Sequence, residues 1–244
     1  MHALEISNIS VSYNKQPVLE NISFTVAPGT LTGIIGPNGA GKSSLIKAIL
    51  GLISKRSGEV KVYQKPLSKH KHLIGYVPQR NEVDWDFPIN ARDVVLMGRY
   101  RKIGFFKKSK KQDIEWADQC LAKVGMLDYA ERQISQLSGG QQQRIFLARA
   151  LAQDASIYLM DEPFAGVDAA TEKAIIQLMK DWKANDKTVL VVHHDLQTVT
   201  DYFDHVLLLN KQCIQYGTTH HVFTHENLEK TFGGRVSFLN QATV

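Results

Sequence analysis

The stretch Gly36-Pro37-Asn38-Gly39-Ala40-Gly41-Lys42-Ser43 limits what this chain can fold into more than any other, because it fits GxxxxGK[ST] at every fixed position. An apolar run, Leu31–Ile35, precedes it and reads as a buried strand; residues 44–50 follow it and read as a helix. The glycines let backbone N–H groups converge on phosphate oxygens without Cβ clashes, and the helix start adds its positive dipole end. In such a loop Lys42 reaches the β- and γ-phosphates of a nucleotide and the Ser43 hydroxyl ligates Mg²⁺. The loop alone implies nucleotide binding and leaves ATPase, GTPase and kinase chemistry open.

The rest of the chain suits an α/β fold around that loop. Further apolar runs at residues 157–160 and at Thr188–Val192 lead to polar turns, as strands of a parallel sheet covered on both faces do. Alternation in Leu4, Ile6, Ile9 and Val11, and again in Ile22, Phe24 and Val26, predicts half-buried strands of an antiparallel sheet. Between residues 84 and 154 the period turns helical, with Trp116, Cys120, Leu121 and Val124 on one stripe and Ile145, Ala148 and Ala152 on another. The expected organisation is one domain over 1–244. Its nucleotide-binding core with the antiparallel β part spans 1–83 and 155–244, and its helical subdomain 84–154. A hairpin after residues 206–209 and a helix over 222–232 are expected to close it.

At 244 residues the chain can bury a sizeable core. No run approaches the roughly 18 apolar residues of a membrane span, and Met1-His2-Ala3-Leu4-Glu5 lacks a signal-peptide layout, so the chain is expected to be soluble and to stay in the cytosol. The two cysteines, Cys120 and Cys213, lack zinc or redox spacing. Of the nine histidines, His221 and His225 stand at i, i+4 and His70 and His72 flank Lys71, but no carboxylate or cysteine completes either set, so solvated side chains are expected. The net charge of +5 gathers in Arg99, Arg101, Lys102, Lys107, Lys108, Lys110 and Lys111, interleaved with Tyr100, Phe105 and Phe106. A solvated face, lipid headgroup contact and nucleic-acid contact all fit that run.

Asp161 and Glu162 end the apolar run at 157–160, which puts two carboxylates at the carboxyl edge of a parallel sheet. Asp161 is suited to holding Mg²⁺, and Glu162 to polarising an attacking water. Leu137-Ser138-Gly139-Gly140-Gln141, before a helix over 142–151, resembles the LSGGQ signature that together with the phosphate loop marks the ABC ATPases. The physical logic is again a helix N-terminus with small residues, whose N–H groups can meet a γ-phosphate.

The resemblance spans essentially the whole chain and implies further roles. Tyr13 matches the aromatic that stacks on adenine, and Gln79 the glutamine that senses Mg²⁺ and the membrane partner. Asp168 matches the D-loop aspartate in Ala165-Gly166-Val167-Asp168, and His194 the switch histidine that contacts the γ-phosphate. Ser44 stands where threonine is common, and either hydroxyl can bond a phosphate oxygen. The resemblance implies a head-to-tail homodimer with two ATP molecules, each held by the phosphate loop of one chain and residues 138–141 of the other.

Residues 77–99, with Val77-Pro78-Gln79-Arg80 and Trp85-Asp86-Phe87-Pro88, are similar to the manganese, zinc and iron import ATPases. That implies a place on the cytoplasmic side of the membrane, an integral membrane permease and a solute-binding protein as partners, and no nucleic-acid partner. Trp85 and Phe87 are then either anchors for a permease helix or ordinary core residues. Alternatives are a chelated-iron importer or a soluble non-transport ABC ATPase. DNA-repair and translation ATPases of this type need a long coiled coil or tandem cassettes, and neither is present.

Overall fold

The computed structural model describes residues 1–104 and 107–234. Phe105 and Phe106 of the basic run therefore lie outside the described residues. Two sheets enclose the helix that follows the phosphate loop, Lys42–Leu50. The first is antiparallel, from β1 (Leu4–Tyr13), β2 (Gln16–Val26), β4 (Ser57–Val62) and β5 (Lys65–Pro66), in the order β2-β1-β4-β5. The second is six-stranded, from β3 (Leu31–Ile35), β6 (Ile74–Val77), β7 (Ile157–Asp161), β8 (Thr188–Val192), β9 (His205–Asn210) and β10 (Gln212–Thr218). Its order is β10-β9-β3-β8-β7-β6, parallel throughout except for the edge strand β10, which forms the expected hairpin with β9.

Every residue of β3, β7 and β8 is buried, because the period-2 alternation of side chains feeds two cores at once. Ile157, Leu159, Leu190 and Val192 point toward the Lys42–Leu50 helix and the antiparallel sheet. Tyr158, Met160, Val189 and Val191 point the other way, into a core shared with the helices Ala91–Met97, Lys111–Lys123, Gly139–Gln153 and Ala169–Ala184. Cys120, Leu121, Val124, Ile145, Ala148 and Ala152 all lie in this second core. Burial pushes the thiols of Cys120 and Cys213 up to about 11, so neither is a thiolate at neutral pH.

The expected single helix over 222–232 is instead two, Thr219–Val222 and His225–Phe232. Thr224 caps the second by accepting from the Asn227 N–H, and Asn227 Nδ2 donates to the Val222 carbonyl at 3.0 Å, so side chains claim the groups that a continuous helix would pair.

Candidate nucleotide site and signature helix

The phosphate loop leaves β3 at Gly36, where a Cβ would lie 2.0 Å from the Leu209 carbonyl oxygen, so only glycine lets the chain turn flush against β9. At Gly41 (φ 95°) a Cβ would meet Leu19 and the Val18 carbonyl, and the helix begins at the next residue. That helix has neither a side-chain cap nor an acid in its first turn, which leaves its positive end free for an anion. A pocket of about 370 Å³ opens there, lined by Val18, by residues 38–44 and by Glu162.

Lys42 is buried, and its Nζ donates to the carbonyls of Gly36 at 2.8 Å and Pro37 at 2.9 Å. Burial lowers its pKa, opposed by the Glu162 and Asp161 carboxylates. Asp161 is fully buried at the end of β7, where its Oδ1 accepts from Ser43 Oγ at 3.0 Å and its Oδ2 has no partner. Burial pushes its carboxyl up to about 6, the Ser43 hydrogen bond pulling the other way. An orphaned carboxylate oxygen beside a hydroxyl is a hard oxygen donor set and fits Mg²⁺. Glu162 adopts φ 49°, a left-handed conformation costly for a side-chain-bearing residue, and its Oε2 accepts from Gln79 Nε2 at 2.9 Å. The sequence reading held Gln79 and Glu162 as separate functional positions; their hydrogen bond joins them.

Ser138 and Gln141 form a capping box on the helix Gly139–Gln153: Gln141 Oε1 accepts from the Ser138 N–H at 2.9 Å, and Ser138 Oγ accepts from the Gln141 N–H. Asp168 caps the helix Ala169–Ala184 by accepting from the Thr171 N–H at 2.7 Å, and its carboxylate approaches Gly140. Ser138, Gln141 and Asp168 share a second pocket of about 260 Å³ with Gly125, Met126, Tyr129, Arg144 and Thr171. That pocket has no residue in common with the phosphate-loop pocket.

Tyr13 stands exposed at the end of β1 and does not line the phosphate-loop pocket, whereas Val18, which the sequence reading missed, does. His194 is exposed just beyond β8, while its neighbour His193 is buried against Phe164 and Phe203, with Nε2 2.8 Å from Thr198 Oγ1. Burial lowers the His193 pKa to about 4, so this ring is neutral at physiological pH. Trp85 packs edge-on against Phe146 and donates Nε1 to the Arg80 carbonyl at 2.8 Å, whereas Phe87 is 54% exposed. A groove of about 550 Å³ lies apart from the phosphate loop, with Tyr76, Met97, Tyr100 and Arg149 in its walls. Among the described residues no three His, Cys, Asp or Glu side chains gather as a metal site.

Comparison with known proteins places the chain in a family. The family model described as ABC transporter matches residues 19–165. The chain is 62% identical to the manganese transport system ATP-binding protein MntB of Bacillus subtilis (strain 168), over 98% of this chain and 96% of that one. It is 52% identical to the zinc transport system ATP-binding protein TroB of Treponema pallidum (strain Nichols), over 97% and 89%. Among solved structures, an ABC transporter described as of the metal-chelate type, in an inward-facing conformation, superposes with a TM-score of 0.83 at 33% identity, covering 95% of this chain and 89% of that one. With the family model and near full-length relatives in agreement, the chain belongs to the ABC transporter family, as its ATP-binding domain.

Proposed function

We propose that the chain is the ATP-hydrolysing subunit of a divalent-metal importer, acting as a head-to-tail homodimer under an integral membrane permease that a solute-binding protein supplies. The observation that carries hydrolysis is one pocket lined by Lys42, Ser43 and Glu162, with Asp161 hydrogen-bonded to Ser43 and Gln79 to Glu162. In this reading residues 36–43 wrap the phosphates, and the Lys42 ammonium exchanges its two loop carbonyls for phosphate oxygens. Ser43 and Asp161 would hold Mg²⁺, helped by Gln79; bound there, the ion supplies charge neutralisation along the phosphates. Glu162 takes a proton from the attacking water while Gln79 holds its Oε2, leaving Oε1 for that water. Ser44 contributes a hydroxyl to the phosphates, Tyr13 a face for adenine, and His194 a contact to the γ-phosphate.

Ser138, Gln141 and Asp168 line a pocket separate from the phosphate loop of their own chain, which favours use of residues 138–141 and Asp168 on the nucleotide of a second copy. Helical residues 84–154 would carry the signature to that copy and receive the permease. Among the described residues no helix is long and apolar enough to cross a membrane. Attachment at the cytoplasmic face would run through the permease, with the groove beside Tyr76 and Met97 as the concave half of the contact.

The two aromatic candidates for that contact should separate. Phe87→Ala is expected to leave folding and basal ATPase intact and to weaken copurification with the permease. Trp85→Ala should cost about 2 kcal/mol in thermal or urea unfolding through its lost packing and hydrogen bond. Overlapping unfolding curves for Trp85→Ala and wild type would remove Trp85 from the core.

The relatives' cargoes, manganese and zinc, supply the metal reading. Uptake of manganese, zinc and iron, measured side by side in a strain lacking this gene and in the complemented strain, tests it. A fall in manganese or zinc uptake restored by complementation is expected. Unchanged uptake of all three would overturn the metal-import reading.

A further inference from the structure

We propose that Arg80 is a positioning residue for hydrolysis, holding the signature helix in register with the carboxylate of Glu162 in the same chain. The inference rests on the hydrolytic reading above and concerns a residue to which that reading gives no role.

A short turn, Arg80–Glu82, follows Gln79, and Gln79 together with this turn reaches three functional elements. Gln79 bonds Glu162. Arg80 lays its guanidinium over Gly139, where a Cβ would come within 2.7 Å of Arg80 Cζ and 2.8 Å of Nη1. The same guanidinium donates to Gln142 Oε1 through Nε at 3.4 Å and Nη2 at 3.3 Å. Gln142 is buried, and its Nε2 donates to the Ile134 carbonyl at 3.0 Å, which turns Oε1 toward Arg80. At the far end of the turn Glu82 pairs with Lys47, on the helix that follows the phosphate loop. The backbone of the turn is pinned as well, since the Arg80 carbonyl accepts from Trp85 Nε1 at 2.8 Å.

The turn is thus tied to the phosphate-loop helix on one side and to the catalytic carboxylate on the other, and Arg80 extends it to the signature helix. Glycine at 139 provides the seat that lets the planar guanidinium approach the first turn of that helix. The two hydrogen bonds are long and the guanidinium is partly in water, so their contribution to stability is small. Their contribution to geometry is larger, because a shift of about 1 Å in a reacting constellation can cost up to about a hundredfold in rate.

The expected signature is therefore a split between turnover and binding. In the purified full-length chain, Arg80→Ala should lower kcat about tenfold while changing affinity for a fluorescent ATP analogue less than about twofold. Its thermal midpoint should stay near wild type, and amide exchange should rise at residues 139–143. Arg80→Lys, which keeps the charge but not the flat fork, should fall between the two. In a Glu162→Gln background, Arg80→Ala should raise the ATP concentration for half-maximal dimerisation about tenfold. A kcat within about twofold of wild type for Arg80→Ala would overturn the proposal, as would a parallel loss of nucleotide affinity, which would place Arg80 in the pocket itself. A Glu162→Gln parent that stays monomeric with ATP would count against the two-chain reading instead, and the kcat of Arg80→Ala would still decide the role of Arg80.

Discussion

Glu162→Gln is expected to lower ATP turnover by about 10²–10⁴-fold while nucleotide binding survives. Glutamine keeps the size of the side chain and an oxygen that can accept from Gln79 Nε2, so the 2.9 Å link to the loop after β6 can persist. What is lost is a group able to take a proton from water. Lys42, Ser43 and Asp161 are untouched, so the grip on the phosphates remains. In the proposed head-to-tail dimer hydrolysis would separate the subunits that sandwich ATP, so the variant should accumulate as a dimer with ATP. It should return to monomer when Mg²⁺ and nucleotide are removed, and size-exclusion chromatography reads both states. A variant that holds ATP yet elutes only as monomer would contradict the head-to-tail arrangement.

Lys42→Ala should weaken ATP binding by about 10- to 100-fold, the worth of one or two charge-assisted hydrogen bonds. The ammonium is the cation of the loop itself, buried between the Gly36 and Pro37 carbonyls and under the pull of Asp161 and Glu162. Alanine removes the charge that offsets those two carboxylates, so they would repel phosphate instead of flanking a cation. Titration with a fluorescent nucleotide measures the affinity, and thermal unfolding without nucleotide checks that the loop still folds. Unchanged affinity in a folded variant would remove Lys42 from phosphate binding.

Much of the architecture was legible in the sequence because local pattern and tertiary demand agree. The continuous apolar runs that end before Gly36 and at Asp161, and the run Thr188–Val192, are buried on both faces, as strands of a parallel sheet between two layers are. The capping box at Ser138 and Gln141 is a four-residue pattern, so its geometry follows from its spelling. Contacts between distant segments were not legible. Nothing near Gly36 announces that the Leu209 carbonyl forbids a Cβ there, nor does anything near Gln79 announce its bond to Glu162. Val18 enters the pocket through the fold of the first hairpin, and Arg80 meets Gly139 only once β6 and the signature helix are packed. The break at Thr224 escaped because the helical apolar period runs across it, while the deciding hydrogen bonds come from Thr224 and Asn227 side chains.

Phosphate release by the purified wild-type and Glu162→Gln chains at saturating Mg²⁺ and ATP, with bound nucleotide quantified in the same samples, tests the central claim most directly. The account predicts steady release from wild type, and a variant that retains nucleotide but releases phosphate at least about a hundredfold more slowly. Near-wild-type release from the variant would contradict it, and would move the role of base from Glu162 to His194 or to the phosphate itself.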